Sequence, residues 1–497
     1  MDQRTPVIIG AAQRNASDDT DHDPIDEMVR VAERALADAG EAAVRDALGA
    51  VRVLGGIWPY KDPGRLVAAA LGVEEAWTSR SAIGGNEVYD LVGDTAARIA
   101  DGSLDAALVC SSEVGRTRRR LAKRGEEATW HPERDDAVPD EGEPAFPAMM
   151  DQAMISAGVR SAPVFYALAE SAIRHRRGED VAANLGRIGA MWAAAAQVAA
   201  GNPHAVLRDA PSAEVISTIT PANRLVAHPY PKLMTANIDV DQAAALVMVS
   251  VETATRLGVP RDRWVFPVAA TGDDDEMIPT HRHALDESPA MGRSGRRALE
   301  LAGVGVDDCR YLDLYSCFPA AVELAQREIG VAEDRDFTIT GGLTFAGGPL
   351  NSYCLHAAAT AVALLREAPE EFALLTGNGG WFSKHSALAL SGRPPAEGFR
   401  RDRRIGPTGA DVARPTPAEL AEGEEVAATV EAATVSAGPG GPDAAIISCL
   451  DADGARRWVG STDRAVIDQV LAGGLVEATA TVVGDTGGQT QFANFSG

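Results

Sequence analysis

The sequence predicts an α/β protein of two related halves followed by a small all-β domain, and three observations predict it. Short apolar runs alternate with amphipathic helical runs through the first 392 residues, the pattern of a mostly parallel sheet covered by helices on both faces. The alternation starts again near residue 256, so the plan is repeated. After a stretch rich in Pro and Arg, five short β-like segments with one helix among them end the chain. At 497 residues the chain is too long for one ordinary core. The reading divides it into 1–255, with an insertion at about 115–235, then 256–392, a linker at 393–423, and 424–497.

Taken in order, Pro6 to Ala12 is an apolar first strand. Asp23-Pro24 supplies an N-cap and a first-turn proline to a helix whose stripe is Ile25, Met28, Val29, Ala32 and Leu36, ending at Gly40. Ala50 to Ile57 reads as a strand, and Ala82 to Ala100 as a Gly-Gly turn with a long helix. Leu104 to Cys110 is a strand running into Ser111-Ser112-Glu113. Residues 115–235 are polar and helix-rich and open on Arg116, Arg118, Arg119, Arg120, Lys123 and Arg124. This cluster is either a solvated helix face or a patch for phosphates. Asn223 to Leu233 reads as the structured anchor of the insertion. Asn237 to Val251 is expected as turn, helix and strand, closing the first half. Trp264 to Ala270 opens the second half, followed by a helix over Ser288 to Ala302 with Ser as N-cap and Pro at N1.

Residues 308–360 organise the whole. A strand, Tyr311 to Leu314, enters Tyr315-Ser316-Cys317-Phe318 and a helix spaced on Val322, Leu324, Ala325 and Ile329. Gly341-Gly342, the loop Phe345-Ala346-Gly347-Gly348-Pro349-Leu350 and a second helix from Ser352 to Leu365 follow. Two glycine turns feeding helix N-termini make a polar floor for an anion or a carbonyl oxygen. A last strand, Phe372 to Thr376, ends in Gly377-Asn378-Gly379-Gly380 and then Trp381-Phe382-Ser383-Lys384-His385.

These residues resemble the thiolase superfamily over about residues 5–392. Its "NEAF" or "HDCF" tetrad falls on Tyr315-Ser316-Cys317-Phe318, and its "GGxxxxGHP" loop aligns without a gap on Gly341 to Pro349. The resemblance implies a thiolase fold of two βαβ halves in αβαβα layers, with the insertion as a loop domain over an acyl-CoA. It is to the sterol-carrier-type branch and to acetyl-CoA acetyltransferases, hence to acyltransferases of lipid metabolism. Read position by position, it also implies four replacements. No cysteine stands near Gly84-Gly85, Gly348 stands for the histidine, Thr376 or Gly377 for the second cysteine, and Tyr315 for the Asn or His that holds the oxyanion. Claisen chemistry needs a thiolate, a second base and an oxyanion donor set, so conventional thiolysis is not expected.

Three functions stay open at this point. The first is a protein that binds acyl-CoA or a related thioester without thiolysis. The second is a retro-aldolase, or an acyl transferase, on a 3-hydroxyacyl-CoA. It would use Tyr315 and Tyr353, as superfamily aldolases with a "YDxF" tetrad do, although Ser316 departs from that pattern. The third is a non-catalytic scaffold for a partner enzyme. The candidate reacting residues are Tyr315, Tyr353, His356 and His385, each of which also has an ordinary packing role. Candidate contacts to the coenzyme are Arg118, Arg119, Arg120, Gly347, Gly348, Gly379 and Gly380. No tightly bound cofactor and no metal are expected, and a coenzyme A thioester is the expected ligand.

Composition narrows the partners. A net charge of -25 argues against nucleic acid and anionic membranes. Five scattered cysteines without paired spacing suit a reducing cytoplasm, and the N-terminal segment shows neither signal peptide nor membrane span. The five terminal segments, Val426 to Val435, Ala444 to Leu450, Arg456 to Gly460, Val476 to Val483 and Gln489 to Phe495, with a helix at Asp463 to Leu471, suggest a barrel of oligonucleotide/oligosaccharide-binding (OB) type. Such a domain would serve a homodimer or a partner protein rather than nucleic acid.

Overall fold

A computed structural model describes residues 1–17, 20–40, 42–142, 148–406, 413–484 and 490–496. Part of the expected linker, 407–412, and Gln489 lie outside the described residues. In chain order the strands are β1 (Pro6–Asn15), β2 (Ala50–Val53), β3 (Trp77–Arg80), β4 (Ala106–Val114), the short hairpin β5 (Leu225–Ala227) and β6 (Tyr230–Pro231), and β7 (Asp241–Ser250). The second half adds β8 (Phe266–Asp274), β9 (Cys309–Asp313), β10 (Phe372–Gly379), β11 (Lys384–Ser391) and β12 (Arg400–Arg403). The C-terminal domain holds β13 (Glu425–Gly438), β14 (Gly441–Asp451), β15 (Arg456–Ser461), β16 (Thr479–Gly484) and β17 (Thr490–Ser496).

Two five-stranded sheets form the body, in orders β1-β7-β4-β2-β3 and β12-β8-β11-β10-β9. The repeated plan is therefore real, but the sheets are mixed rather than mostly parallel. β7 runs antiparallel to both β1 and β4, and β11 antiparallel to both β10 and β8. The expected helix within Asn237 to Val251 is absent because Asp241–Ser250 is one continuous central strand. Its Ala and Val run is buried on both faces, and such a run carries no alternation to distinguish it from helix. The strand expected over Ala50 to Ile57 stops at Val53. β10 is followed by two further strands, β11 and β12, the latter inside the stretch read as linker.

Helix capping follows the sequence closely at the first helix, Pro24–Asp38, where the Asp23 side chain accepts from Ile25 N. At Pro289–Ala302 the Ser288 hydroxyl makes no cap bond and turns to other partners. The long helix Glu87–Asp101 lies between the sheets, against β8, β7 and β10. Helices Ala162–Arg176 and Val181–Gly201 of the insertion pack beside the tetrad helix Pro319–Ile329. Among the described residues no helix is long and apolar enough to cross a membrane.

The C-terminal strands run in order β15-β14-β13-β16-β17, with β15 lying against β17 and the helix Arg464–Leu471 between β15 and β16. This is a small OB-like barrel. It is docked on the body rather than tethered. β5 pairs with β13, Val435 O accepts from His228 N at 2.8 Å, and Ala433 N donates to Ser171 Oγ at 3.0 Å. Fully buried Arg456 donates to Pro279 O at 2.5 Å and Arg282 O at 2.7 Å, and is paired with Glu431 at 2.7 Å.

Candidate functional site

Strand ends and glycine turns from both halves bring the predicted centre together. β9 delivers Asp313, and the tetrad follows directly as Tyr315. The glycine turn is held by close approach. Gly341 has φ +103, and a Cβ there would stand 2.4 Å from the Ala199 side chain on the neighbouring helix. The helix Tyr353–Glu367 begins just beyond the loop and presents Tyr353 and His356 inward.

Tyr315 and Tyr353 do meet: their rings are 5.8 Å apart, edge to face at 89°. The Tyr315 ring fills the place where a side chain at Gly85 would stand. A Cβ on Gly85 would lie 2.6 Å from Tyr315 Cε2 and 2.6 Å from Asn378 O. The adjoining turn is tied down by Asn351, which accepts from Gly84 N at 2.9 Å and donates to Gly55 O at 2.5 Å.

Tyr353 is 1% exposed, and its hydroxyl is engaged inside the protein. It donates to Asp313 Oδ1 at 2.9 Å and lies 2.7 Å from Thr340 Oγ1. The other Asp313 oxygen accepts from Thr338 Oγ1 at 2.9 Å, Ile339 N at 3.1 Å and Thr340 Oγ1 at 3.3 Å. Burial pushes the Asp313 carboxyl up to about 6, against the pull of these donors. Burial and the Asp313 charge raise the Tyr353 phenol well above its ordinary value, which opposes a tyrosinate base. The sequence pattern does not single out Asp313. The available signal was its place at the carboxyl end of a parallel-paired strand, where α/β ligand sites gather.

His356 and Tyr353 line one small chamber of about 10 Å³ with Gln13, His204, Gln242 and Gly347. His356 Nδ1 is 3.2 Å from Gln13 Oε1, while His356 Nε2 and Gln242 Oε1 are buried without hydrogen-bond partners. Burial drives the His356 imidazole down to about 3, so it is neutral. The chamber has room for about one water. Gln13 and His204 also line an outer cleft of about 320 Å³ that carries Arg14, Arg34 and Arg208.

His385 lies on the other side of Tyr315, in a second chamber of about 10 Å³ with Asn378 and Ser386. Its Nε2 is 2.9 Å from Ser288 Oγ, 3.0 Å from Phe382 O and 3.6 Å from Asp275 Oδ2. Ser, His and Asp meet here, but serine and carboxylate address the same ring nitrogen, so no proton relay through the imidazole results. Gly379 lies against Gly84 and Asn86, and Gly380 against Ser383 and Met277. Gly348 N donates to Asn237 O at 2.8 Å, and Gly347 faces the Gln242 side chain.

The structure does not bring the arginine cluster to this centre. Arg118 donates to Ile57 O at 2.6 Å, Arg119 is paired with Asp239, and Arg120 contacts Thr20 O and Asp21. All three are exposed or partly so and already committed to the protein's own acceptors.

No family model matches the chain, and no curated protein matches it. Solved structures do. A monomeric SCP2-thiolase-like protein type 1 from Mycobacterium smegmatis is 29% identical, with 99% of each chain covered and a TM-score of 0.82. An Ltp2-ChsH2(DUF35) aldolase is 20% identical over 78% of this chain and 98% of its own, with a TM-score of 0.60. An acetyl-CoA acetyltransferase from Syntrophomonas wolfei is 16% identical over 78% of this chain and 100% of its own, at 0.57. The last two likenesses are of fold alone.

Proposed function

We propose that this chain, which belongs to the thiolase-like superfamily, binds a coenzyme A thioester or a related thioester without thiolysis. The observation that carries the reading is the Tyr315 ring packed on Gly85, which leaves no room for a nucleophilic side chain at that turn. The hydrogen-bonding groups around it support the same reading. Asp313 and Tyr353 spend their bonds on each other, on Thr338 and Thr340 and on backbone, and Asn351 on backbone, whereas an oxyanion hole needs donors aimed at an empty place.

The cleft at Arg14, Arg34, Arg208 and His204 is the basic opening that adjoins the Tyr353 chamber, through Gln13 and His204. It is preferred to Arg118–Arg120 for coenzyme phosphates because it adjoins that chamber; within it Arg14 is paired with Glu27 and Arg208 donates to Ala200 O, as Arg118–Arg120 are tied to Ile57, Asp239 and Asp21. The aldolase-type alternative would have to free Tyr353 from Asp313 and open a chamber of about 10 Å³. Calorimetric titration with coenzyme A, acetyl-CoA and 3-hydroxydecanoyl-CoA tests the proposal. Saturable binding is expected, weakened about tenfold or more by Arg34→Ala with Arg208→Ala, while acetoacetyl-CoA thiolysis stays at the buffer rate. Absence of binding by all three ligands would refute it. Turnover of the 3-hydroxyacyl ester that disappears in Tyr315→Phe and Tyr353→Phe would put the aldolase in its place.

A further inference from the structure

The chamber between the basic cleft and Tyr353 has a hydrogen-bonding pattern set by its neighbours. Thr360 Oγ1 donates to His356 O at 3.0 Å and accepts from Gln13 Nε2 at 2.9 Å. That turns the Gln13 amide so that its Oε1 meets His356 Nδ1, 3.2 Å away. An amide oxygen only accepts, so Nδ1 carries the imidazole hydrogen and Nε2 keeps the lone pair. Burial holds the ring neutral. Gln242 is oriented in the same manner. Its Nε2 donates to Ala346 O at 2.9 Å, which leaves Oε1 beside Gly347, where a Cβ would stand 2.4 Å from it.

His356 Nε2 and Gln242 Oε1 are both buried without a hydrogen-bond partner, and their residues, 5% and 3% exposed, line this one chamber. Both atoms are acceptors. In about 10 Å³ there is room for one atom of a water's size, so the fitting occupant is a single atom with two hydrogens to donate. An amino group meets that description as well as water does.

The cleft outside, of about 320 Å³, has a different character. Pro203, Ala205 and Val206 give it an apolar side, and Arg34 and Arg208 give it positive charge. Among the described residues neither of these two arginines is paired with a carboxylate. Gln13 and His204 line the cleft and the chamber alike. An anion outside and two donor hydrogens inside are thus asked of one ligand.

We propose, resting on the thioester reading, that the cleft takes the 3′-phosphoadenosine end of coenzyme A. The adenine amino group enters the chamber and donates one hydrogen to His356 Nε2 and one to Gln242 Oε1, with phosphate at Arg34 and Arg208. The purine ring is larger than the chamber and stays in the cleft. The thioester end is then left outside, away from the turn that Tyr315 seals.

Calorimetric titration of the full chain compares coenzyme A, adenosine 3′,5′-bisphosphate and inosine 3′,5′-bisphosphate, in which a carbonyl oxygen replaces the amino group. The adenosine form should bind at least about tenfold tighter than the inosine form, whose oxygen brings a third acceptor to the two already there. In Gln242→Met, and separately in His356→Phe, that ratio should shrink by at least about threefold. The comparison of ligands on the unaltered protein needs no variant and decides the matter if either variant folds poorly. Coenzyme A that binds while the two bisphosphates bind equally would mean that the chamber holds water only, and would overturn this inference while leaving the thioester reading in place. A ratio that survives in both folded variants would overturn it too. No binding of coenzyme A would remove both.

Discussion

The packing of Tyr315 on Gly85 makes a quantitative prediction about restoring a side chain at the turn. In Gly85→Ala the new Cβ would sit 2.6 Å from both Tyr315 Cε2 and Asn378 O, and 2.9 Å from Tyr315 Cζ. Comfortable carbon contacts are about 3.5–4.0 Å, so two walls must each retreat by about 1 Å. One wall is a ring and the other is backbone. Overpacking of this kind costs about 1–3 kcal/mol, and the backbone wall places this case at the upper end. Tyr315→Ala alone leaves a cavity and should cost about 3 kcal/mol. In the double variant the ring clash disappears and only the Asn378 wall remains. The two losses should therefore fall short of additivity by about 1–2 kcal/mol. Urea unfolding of the four proteins, followed by tryptophan fluorescence and far-UV dichroism together, measures the coupling. Additivity within about 0.5 kcal/mol would mean that ring and turn do not compete for the same space, and the sealed-site argument would fall. Gly85→Cys should likewise remain without thiolysis, since the thiol would enter an occupied position.

Two further predictions concern buried charge. Burial first, opposed by its hydrogen bonds, holds the Asp313 carboxyl at about 6 instead of the ordinary 3.8, so between about pH 4 and pH 6 the unfolded chain releases a proton that the folded chain keeps. Stability should then fall as pH rises through that window, by up to about 3 kcal/mol for a gap of roughly two pH units, and level off above it. Asp313→Asn should lose about 1–2 kcal/mol at every pH, because an amide cannot accept all four donors, but should lack that slope. Parallel pH profiles for variant and wild type in denaturant titrations from pH 4 to 8 would count against the assignment. At the domain boundary, Arg456→Met leaves Glu431 and the carbonyls of Pro279 and Arg282 without their donor, an expected loss of about 3–5 kcal/mol. Limited proteolysis should then release the C-terminal barrel, and an unchanged cleavage pattern would show that the docking lies elsewhere.

Local signals in the sequence carry through to the structure where chemistry and neighbours agree. Asp23-Pro24 starts a helix because capping is settled within three residues. The tetrad and the glycine loop could be placed by spacing alone. What spacing could not show is which group each side chain meets. Tyr315 and Gly85 are far apart in the chain, and only the packed sheets bring the ring over the turn. Spacing puts His356 one helical step beyond Tyr353 without saying where its ring points, and the structure places it in the chamber it shares with Tyr353, Gln13 and Gln242. Ser288 looks like an N-cap in the sequence, yet its hydroxyl goes to Asp275 at 2.6 Å and to His385. The run Asp241–Ser250 differs for the opposite reason: alanine favours helix locally, and pairing on both edges overrides it.

The hydrogen bonds of Asp313 and Asn351 bear on how a ligand could reach the tyrosine pair. A reacting centre keeps donors and acceptors turned toward the place where charge will develop and tolerates their being unpaired in the resting state. At Asp313 and Asn351 the arrangement is reversed. Four donors converge on Asp313, and Asn351 bridges two backbone groups, so opening the centre to a thioester would require breaking bonds already made. Unpartnered atoms line the two small chambers beside the pair: Asn378 Oδ1 in the chamber that Tyr315 shares with His385, and His356 Nε2 and Gln242 Oε1 in the one between Tyr353 and the basic cleft. Each is a buried polar group with a cost of about 1–3 kcal/mol that a bound water or ligand can remove. A ligand arriving through the cleft would gain that contribution at His356 and Gln242, whereas one forced between Tyr353 and Asp313 would first forfeit existing hydrogen bonds.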